Sequence, residues 1–202
     1  MIRYTFIQNK VLEIYQSLPE LKFPIDIQQV INTIPNCRLM TYQTFSEINA
    51  CSIDDVITLC ESTSGCTHFD IFQNRYLILY NDSTDHYNNH GRQLWTCGHE
   101  IGHIKCEHMA YSIYAKLSEN GFQHITDKQY ESEADFFSAT LLCPFPVCRE
   151  LNIKSAQEIQ AYFGLSAEAS QIRYTKYLEW QRSHRKTAWE NDIKRLFLSS
   201  VR

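Results

Sequence analysis

Residues 95–104, WTCGHEIGHI, decide how this chain is read. On an α-helix His99 and His103 lie four positions apart, one above the other on the same face, so both imidazoles can reach a single cation. Glu100 is one step round the helix from that pair. There it can address a metal-bound water without taking a coordination position, the arrangement that H-E-x-x-H offers to Zn²⁺-dependent hydrolysis. Gly102, inside the motif, costs about 1 kcal/mol of helix stability against Ala, which a chain tolerates most readily where something must approach closely. The same five letters also arise by chance on an amphipathic core helix with surface histidines, so a second, independent feature is required.

Catalytic zinc generally has three protein ligands and one open position, so two histidines call for a third donor. Glu131 and Glu133 lie about thirty residues downstream on a separate helical segment, YESEADFFSATLL, that can cross behind the first. Glu131 is the better choice. Asp135 then lies one turn further on the same face, where it can accept the free N–H of a ligand imidazole and fix the ring. Glu133 points about 160° away from Glu131 on an ideal helix, which leaves it solvated or paired. An acidic helix start is also favoured simply by the helix dipole.

Upstream, Tyr4, Ile7, Val11, Ile14 and Leu18 at helical spacing predict a first helix over residues 3–18, ended by Pro19. Asp26 can cap a short helix carrying Ile27, Val30, Ile31 and Ile34, and residues 38–43 read as a strand. Ser52 and Asp55 form a capping box ahead of Ile53, Val56, Ile57 and Cys60. HFDIFQNRYLILYN predicts a β-hairpin with Gln73 and Asn74 at its tip and Tyr76–Tyr80 as second strand. The free edge of that second strand could pair with an extended peptide. A polar loop, NDSTDHYNNHGR, leads into the metal helix, expected from Arg92 to about Met109, and residues 110–127 suggest a short helix ending near Gly121. Beyond Leu151 only helices are expected: Ser155 with Glu158 is a second capping box, Gly164 a C-cap, and Ser166 the cap of a helix carrying Ile172, Tyr177 and Trp180. Helix, short GLS turn and helix outline a helix-turn-helix, but few Arg, Asn or Gln open the second helix, where base contacts would arise.

At 202 residues the chain holds one to two domains. The division expected is a body over residues 1–148 and a helical, helix-turn-helix-like tail over residues 149–202. The net charge of −4 is uneven: residues 149–202 carry 10 Lys/Arg against 6 Asp/Glu, whereas residues 1–148 carry 9 against 17. So small an excess fits a solvated helical face better than a nucleic-acid surface, and direct nucleic-acid binding is not expected. No apolar run long enough for a membrane span and no signal-peptide core appears, so a cytoplasmic protein without membrane contact is expected. Eight scattered cysteines with no C-x-x-C pair then read as reduced thiols packed as small hydrophobes. Cys51, Cys60, Cys66 and His68 match the spacing of no common zinc module.

GRQLWTCGHEIGHI followed by ESEADFFSATLLCP resembles the ImmA/IrrE metallopeptidases, whose pattern is approximately R-x-R-[FW]-T-x-A-H-E-[LI]-G-H and then E-x-E-A-[ND]-x-F-A-x-x-L-L-M-P. The likeness extends from about residue 70 to 175 and is strongest in the two zinc segments. Gly98 stands for the usual Ala, Ser138 for Ala and Cys143 for Met, none of which removes a ligand or the base; Gln93 and Leu94 depart from the pattern beside Arg92. The resemblance implies an α+β, zincin-like metallopeptidase domain with a small sheet and a zinc-binding helix pair, followed by a small C-terminal helical region. It implies Zn²⁺ held by His99, His103 and Glu131, with Glu100 as base. It also implies a protein substrate, a helix-turn-helix repressor whose cleavage switches on a mobile element or stress regulon.

The oxyanion donor is open among His90, His108, Tyr80 and Tyr87. The competing reading is a non-catalytic regulatory module with a structural zinc, which would require a fourth ligand such as Cys97, Cys106 or His108.

Overall fold

A computed structural model describes residues 1–83, 90–109, 127–183 and 187–200. The chain runs α1 (Tyr4–Ser17), α2 (Ile27–Asn32), β1 (Cys37–Thr41), α3 (Tyr42–Asn49), α4 (Ile53–Cys60), β2 (Gly65–Asp70), β3 (Arg75–Tyr80), α5 (His90–Lys105), α6 (Asp127–Leu142), α7 (Phe145–Glu150), α8 (Ala156–Phe163), α9 (Ala167–Ser183) and α10 (Ala188–Ser200). The fold is α+β, helices around one three-stranded sheet, consistent with a zincin-like domain followed by C-terminal helices. The helix expected within residues 110–127 falls almost wholly outside the described residues, as do residues 84–89 of the polar loop.

Local signals account for most element starts. Asp26 accepts from the backbone N–H groups of Gln28 and Gln29. Ser52 and Asp55 close a reciprocal capping box, Ser155 accepts from the Glu158 N–H, and Gly164 ends α8 at φ 70°. Several starts differ from expectation: the first hairpin strand runs Gly65–Asp70 rather than from His68, and a short helix opens at Phe145 between two prolines. The strand over 38–43 stops at Thr41, whose hydroxyl accepts from the Thr44 N–H and opens α3, a helix the sequence pattern does not announce. The metal helix begins at His90 and ends at Lys105, followed by Glu107 at φ 65°.

The sheet order is β1-β3-β2, with β1 parallel and β2 antiparallel to β3. Consequently β3 is the central strand, bonded on both sides, and has no free edge for a peptide; the edge beside the hairpin belongs to β2. The long-range partner is the reason, because β1 and β3 are joined only through α3, α4 and β2. Alternation along β3 divides the packing. Ile78 joins the main core with Leu39 and Tyr76, while Leu79 joins a smaller cluster with Tyr42 and Val56 under α3 and α4. Thr67 of β2 is directly opposite Ile78 and therefore shares the face that α5 covers.

The main core links Ile7, Val11 and Ile14 of α1 with Ile101 of α5, Phe137 and Leu141 of α6, and Phe163, Tyr177 and Phe197 of the last helices. In α9 Ile172 is 52 % exposed and its neighbour Arg173 is buried. The guanidinium reaches the Cys143 carbonyl through Nε and Nη2 at 2.9 and 2.7 Å, over the Phe145 ring. All eight cysteines are free.

Helices α5 and α6 pack closely, and small residues permit it. A Cβ at Gly102 would lie 3.0 Å from the Ala134 Cα, and one at Gly98 would lie 2.6 Å from the Ser138 Oγ, which itself donates to the Trp95 carbonyl. The two departures from the family pattern at 98 and 138 therefore face each other. Gly102→Ala should destabilise by about 1–3 kcal/mol through overpacking against backbone, despite the better helix propensity of Ala, as read from urea unfolding. Gly98→Ala should also destabilise, and adding Ser138→Ala should recover most of that loss; a double-mutant cycle with no coupling would show that the two positions do not compensate each other.

Candidate metal centre

Packing of one face of α5 into the core orients its histidines. Leu94, Cys97, Ile101 and Ile104 are buried, which turns His99 and His103 towards α6 with Glu100 buried beside them. The two Nε2 atoms are 3.0 Å apart. From α6 the Glu131 carboxylate reaches both, 3.1 Å from His99 Nε2 and 3.4 Å from His103 Nε2. One turn on, Asp135 Oδ1 is 3.0 Å from His99 Nδ1. The α5–α6 crossing thus brings His99, His103, Glu131 and Asp135 together.

The donor chemistry fits a cation. With His99 Nδ1–H donating to Asp135 Oδ1, the Nε2 lone pair of that ring turns towards Glu131 and His103. Two ring nitrogens and a carboxylate oxygen 3.0–3.4 Å apart cannot all be satisfied by one another. Donors placed tetrahedrally at about 2.0–2.1 Å from zinc are themselves roughly 3.3–3.4 Å apart, so the spacing suits one such ion.

Burial, reinforced by the neighbouring His99 and His108 rings, pushes the His103 pKa down to about 3, which keeps the ring neutral. At His99 burial acts the same way, but the Asp135 bond and the Glu100, Asp135 and Glu131 carboxylates outweigh it and the net shift is upward. Glu100 is pushed up by burial, against the Thr67 hydroxyl, which donates to Oε2 at 2.7 Å and holds the carboxylate against the sheet. Glu131 and Asp135 have side chains 57 % and 60 % exposed, so the acidic side of the donor cluster faces solvent.

Glu133 is paired, as one of the two expected outcomes had it, but wholly buried. It bonds to Arg3 through Nε and Nη2 at 3.0 and 2.6 Å and lies 3.2 Å from His108 Nε2. His108 in turn meets His103 Nδ1 at 3.0 Å. Sequence spacing places neither contact, because Arg3 is 130 residues from Glu133; the acidic pair two apart in the ESEAD segment was the only local sign that α6 addresses two sides.

Of the oxyanion candidates, His108 is buried behind His103, Tyr80 ends β3 half-buried, His90 opens α5 exposed, and Tyr87 lies outside the described residues. Among the described residues the potential ligands also converge at Cys106, His108 and Glu133. Cys51, Cys60, Cys66 and His68 form no such group; Cys51, Cys60 and Cys66 line the smaller core cluster. No helix among the described residues is long and apolar enough to cross a membrane.

No curated protein matches the chain in comparison. The model of a peptidase family described as the IrrE N-terminal-like domain matches residues 55–175, from α4 through the donor-bearing helices α5 and α6 into α9. With that match covering more than half of the sequence and both helices of the donor cluster, the chain belongs to the IrrE N-terminal-like family of metallopeptidases.

Proposed function

We propose that this chain is a zinc-dependent endopeptidase that cuts a helix-turn-helix repressor, with His99, His103 and Glu131 as metal ligands and Glu100 as general base. The observation that carries the reading is the convergence of two imidazole nitrogens and a carboxylate beside a buried second carboxylate. Two imidazoles and one carboxylate suit Zn²⁺. When bound, such an ion supplies Lewis-acid chemistry, polarising a peptide carbonyl and acidifying water.

The protein's own groups supply the rest. Thr67 engages Glu100 Oε2, which leaves Oε1 to take a proton from water. A carboxylate whose pKa is raised by burial accepts that proton more readily and can return it to the leaving amine. Asp135 holds the His99 ring, and the exposed Glu131 side leaves the centre open to a substrate. The β2 edge next to α5 takes over the role expected of β3: an extended segment bonded there would run along the strand that carries Thr67. Family membership supports a protein substrate, and the resemblance in the zinc segments supports a repressor.

The purely structural reading is disfavoured by His108. It contacts the far nitrogen of the His103 ring and does not join the three donors as a fourth ligand. Direct DNA reading by α8 and α9 is also disfavoured, since Phe163 and Tyr177 commit these helices to the main core.

Co-expression with repressors encoded beside the gene should yield fragments. Glu100→Gln should reduce cleavage by about 10²–10⁴-fold while zinc content, measured by metal analysis, stays at one per chain; wild-type cleavage rates in this variant would refute the assignment. Chelation should abolish cleavage, and added Zn²⁺ should restore it. Thr67→Val removes a donor that lowers the Glu100 pKa, so the pKa rises further and the base is protonated at higher pH. The acid limb of the kcat/KM profile should shift upward in pH, and an unmoved limb would exclude this contact from setting the base.

A further inference from the structure

Behind the donor cluster, on the side away from Glu131, lies a chain of bonded polar groups: His103, His108 and Glu133, all buried, and the partly exposed Arg3. We infer that His108, anchored by Glu133 and Arg3, is a positioning residue that fixes the tautomer and orientation of His103, so that its Nε2 lone pair is held towards the metal. The inference rests on the reading that His99, His103 and Glu131 hold a divalent ion.

The proton count along the chain runs one way. Arg3 can only donate, and it reaches Glu133 through Nε, Nη2 and its backbone N–H, the last to Oε1 at 3.1 Å. Gln129 Nε2 donates to the same Oε1 at 3.2 Å. Glu133 is therefore an ionised acceptor, and His108 Nε2, 3.2 Å from its Oε2, must carry the proton of that contact. With Glu133 already matched by the Arg3 guanidinium, a His108 ring enclosed to 2 % exposure carries one proton only, and its Nδ1 has a lone pair. His103 Nδ1, 3.0 Å away, must donate into it, and the remaining nitrogen of His103 is left unprotonated towards His99 and Glu131. Packing fixes the intermediate ring: the His108 side chain is 2 % exposed and stacks on Tyr130 with centroids 4.5 Å apart.

The same residues, with Cys106, could be read as a second metal site. Their bonding argues otherwise. Both nitrogens of His108 are engaged, both oxygens of Glu133 accept from Arg3, and the guanidinium already supplies the positive charge that an ion would bring. Arg3 Nη2 is bound in addition to the Cys106 carbonyl, which ties the turn after α5 to the same cation.

His99 and His103 are thus held by different devices. His99 meets an exposed carboxylate directly, whereas His103 meets a buried neutral ring that relays a carboxylate. The partners behind metal-ligating histidines typically change metal affinity by about 10–100-fold when removed.

The test uses the full-length protein and its zinc dissociation constant, measured by competition with a chromophoric chelator, with far-UV circular dichroism as the folding control. His108→Leu, which removes the acceptor, should weaken zinc binding by about 10–100-fold. His108→Asn, whose amide oxygen can stand near the place of Nδ1, should recover most of that loss. His99→Ala should abolish binding. If His99→Ala binds zinc like the wild type, the metal reading fails; if His99→Ala loses zinc but His108→Leu keeps wild-type affinity, only the role given to His108 fails. Should His108→Leu not fold, ring ¹⁵N shifts of the zinc-loaded wild type decide. Protonated His103 Nδ1 with unprotonated His108 Nδ1 supports the inference, and a protonated His108 Nδ1 overturns it.

Discussion

The approach of α5 to α6 is the constraint on which the rest depends. Two imidazoles on one helix and a carboxylate on another converge here because the two helices pack closely over small residues. Here Gly98 and Gly102 present no Cβ, and Ser138 and Ala134 occupy the vacated space. Glycine weakens α5 as an isolated helix, so its place inside the motif is decided by tertiary packing. The hydroxyl of Ser138, bonded to the Trp95 carbonyl, also fills volume that an alanine at 98 would need.

Given that approach, α6 serves two sides at once. Glu131 and Asp135, four apart, meet the outer side of the α5 histidines, while Glu133 turns inward to His108 and Arg3. Burying Glu133 would be costly alone. Its bonds to Arg3, His108 and Gln129 outweigh the desolvation and hold its pKa down to about 2, so it is charged throughout the neutral range. The first residues of the chain thereby become part of the support of the metal helix. Tyr15 adds to this, its hydroxyl donating to the Leu141 carbonyl at 2.6 Å and fastening α1 to the end of α6.

How much of this was legible follows from the range of each interaction. Caps at Asp26, Ser52 and Ser155 are read within four residues, and the hairpin from alternation and its turn, so these elements follow from sequence. The spacing of His99 and His103, and of Glu131 and Asp135, is equally local, and it places each pair on one helix face before any coordinate is known. The strand order is not local. Whether Tyr76–Tyr80 is an edge depends on β1, more than thirty residues earlier, and the pattern of β3 suits either a central or an edge position. The α3 helix is hidden because Tyr42–Asn49 has no strong apolar stripe and is set by the Thr41 cap and by packing of Tyr42. The Arg3–Glu133–His108 connection joins three distant segments, none of which carries a motif.

The division of burial across the centre bears on what the site can do. On the Arg3 side His108 and Glu133 are enclosed and partnered, so the His103 ring has little freedom and little contact with water. On the opposite side the carboxylates of Glu131 and Asp135 are more than half exposed. A ligand set buried on all sides would be rigid but closed to a peptide; one exposed on all sides would admit substrate but leave ring orientation to solvent. Rigidity behind and access in front reconcile the two demands, and both come from one helix, α6, whose acidic residues alternate between them. Between these sides Glu100 is buried but held by Thr67 from the edge strand, so the strand proposed to meet a substrate also touches the group proposed to move the proton.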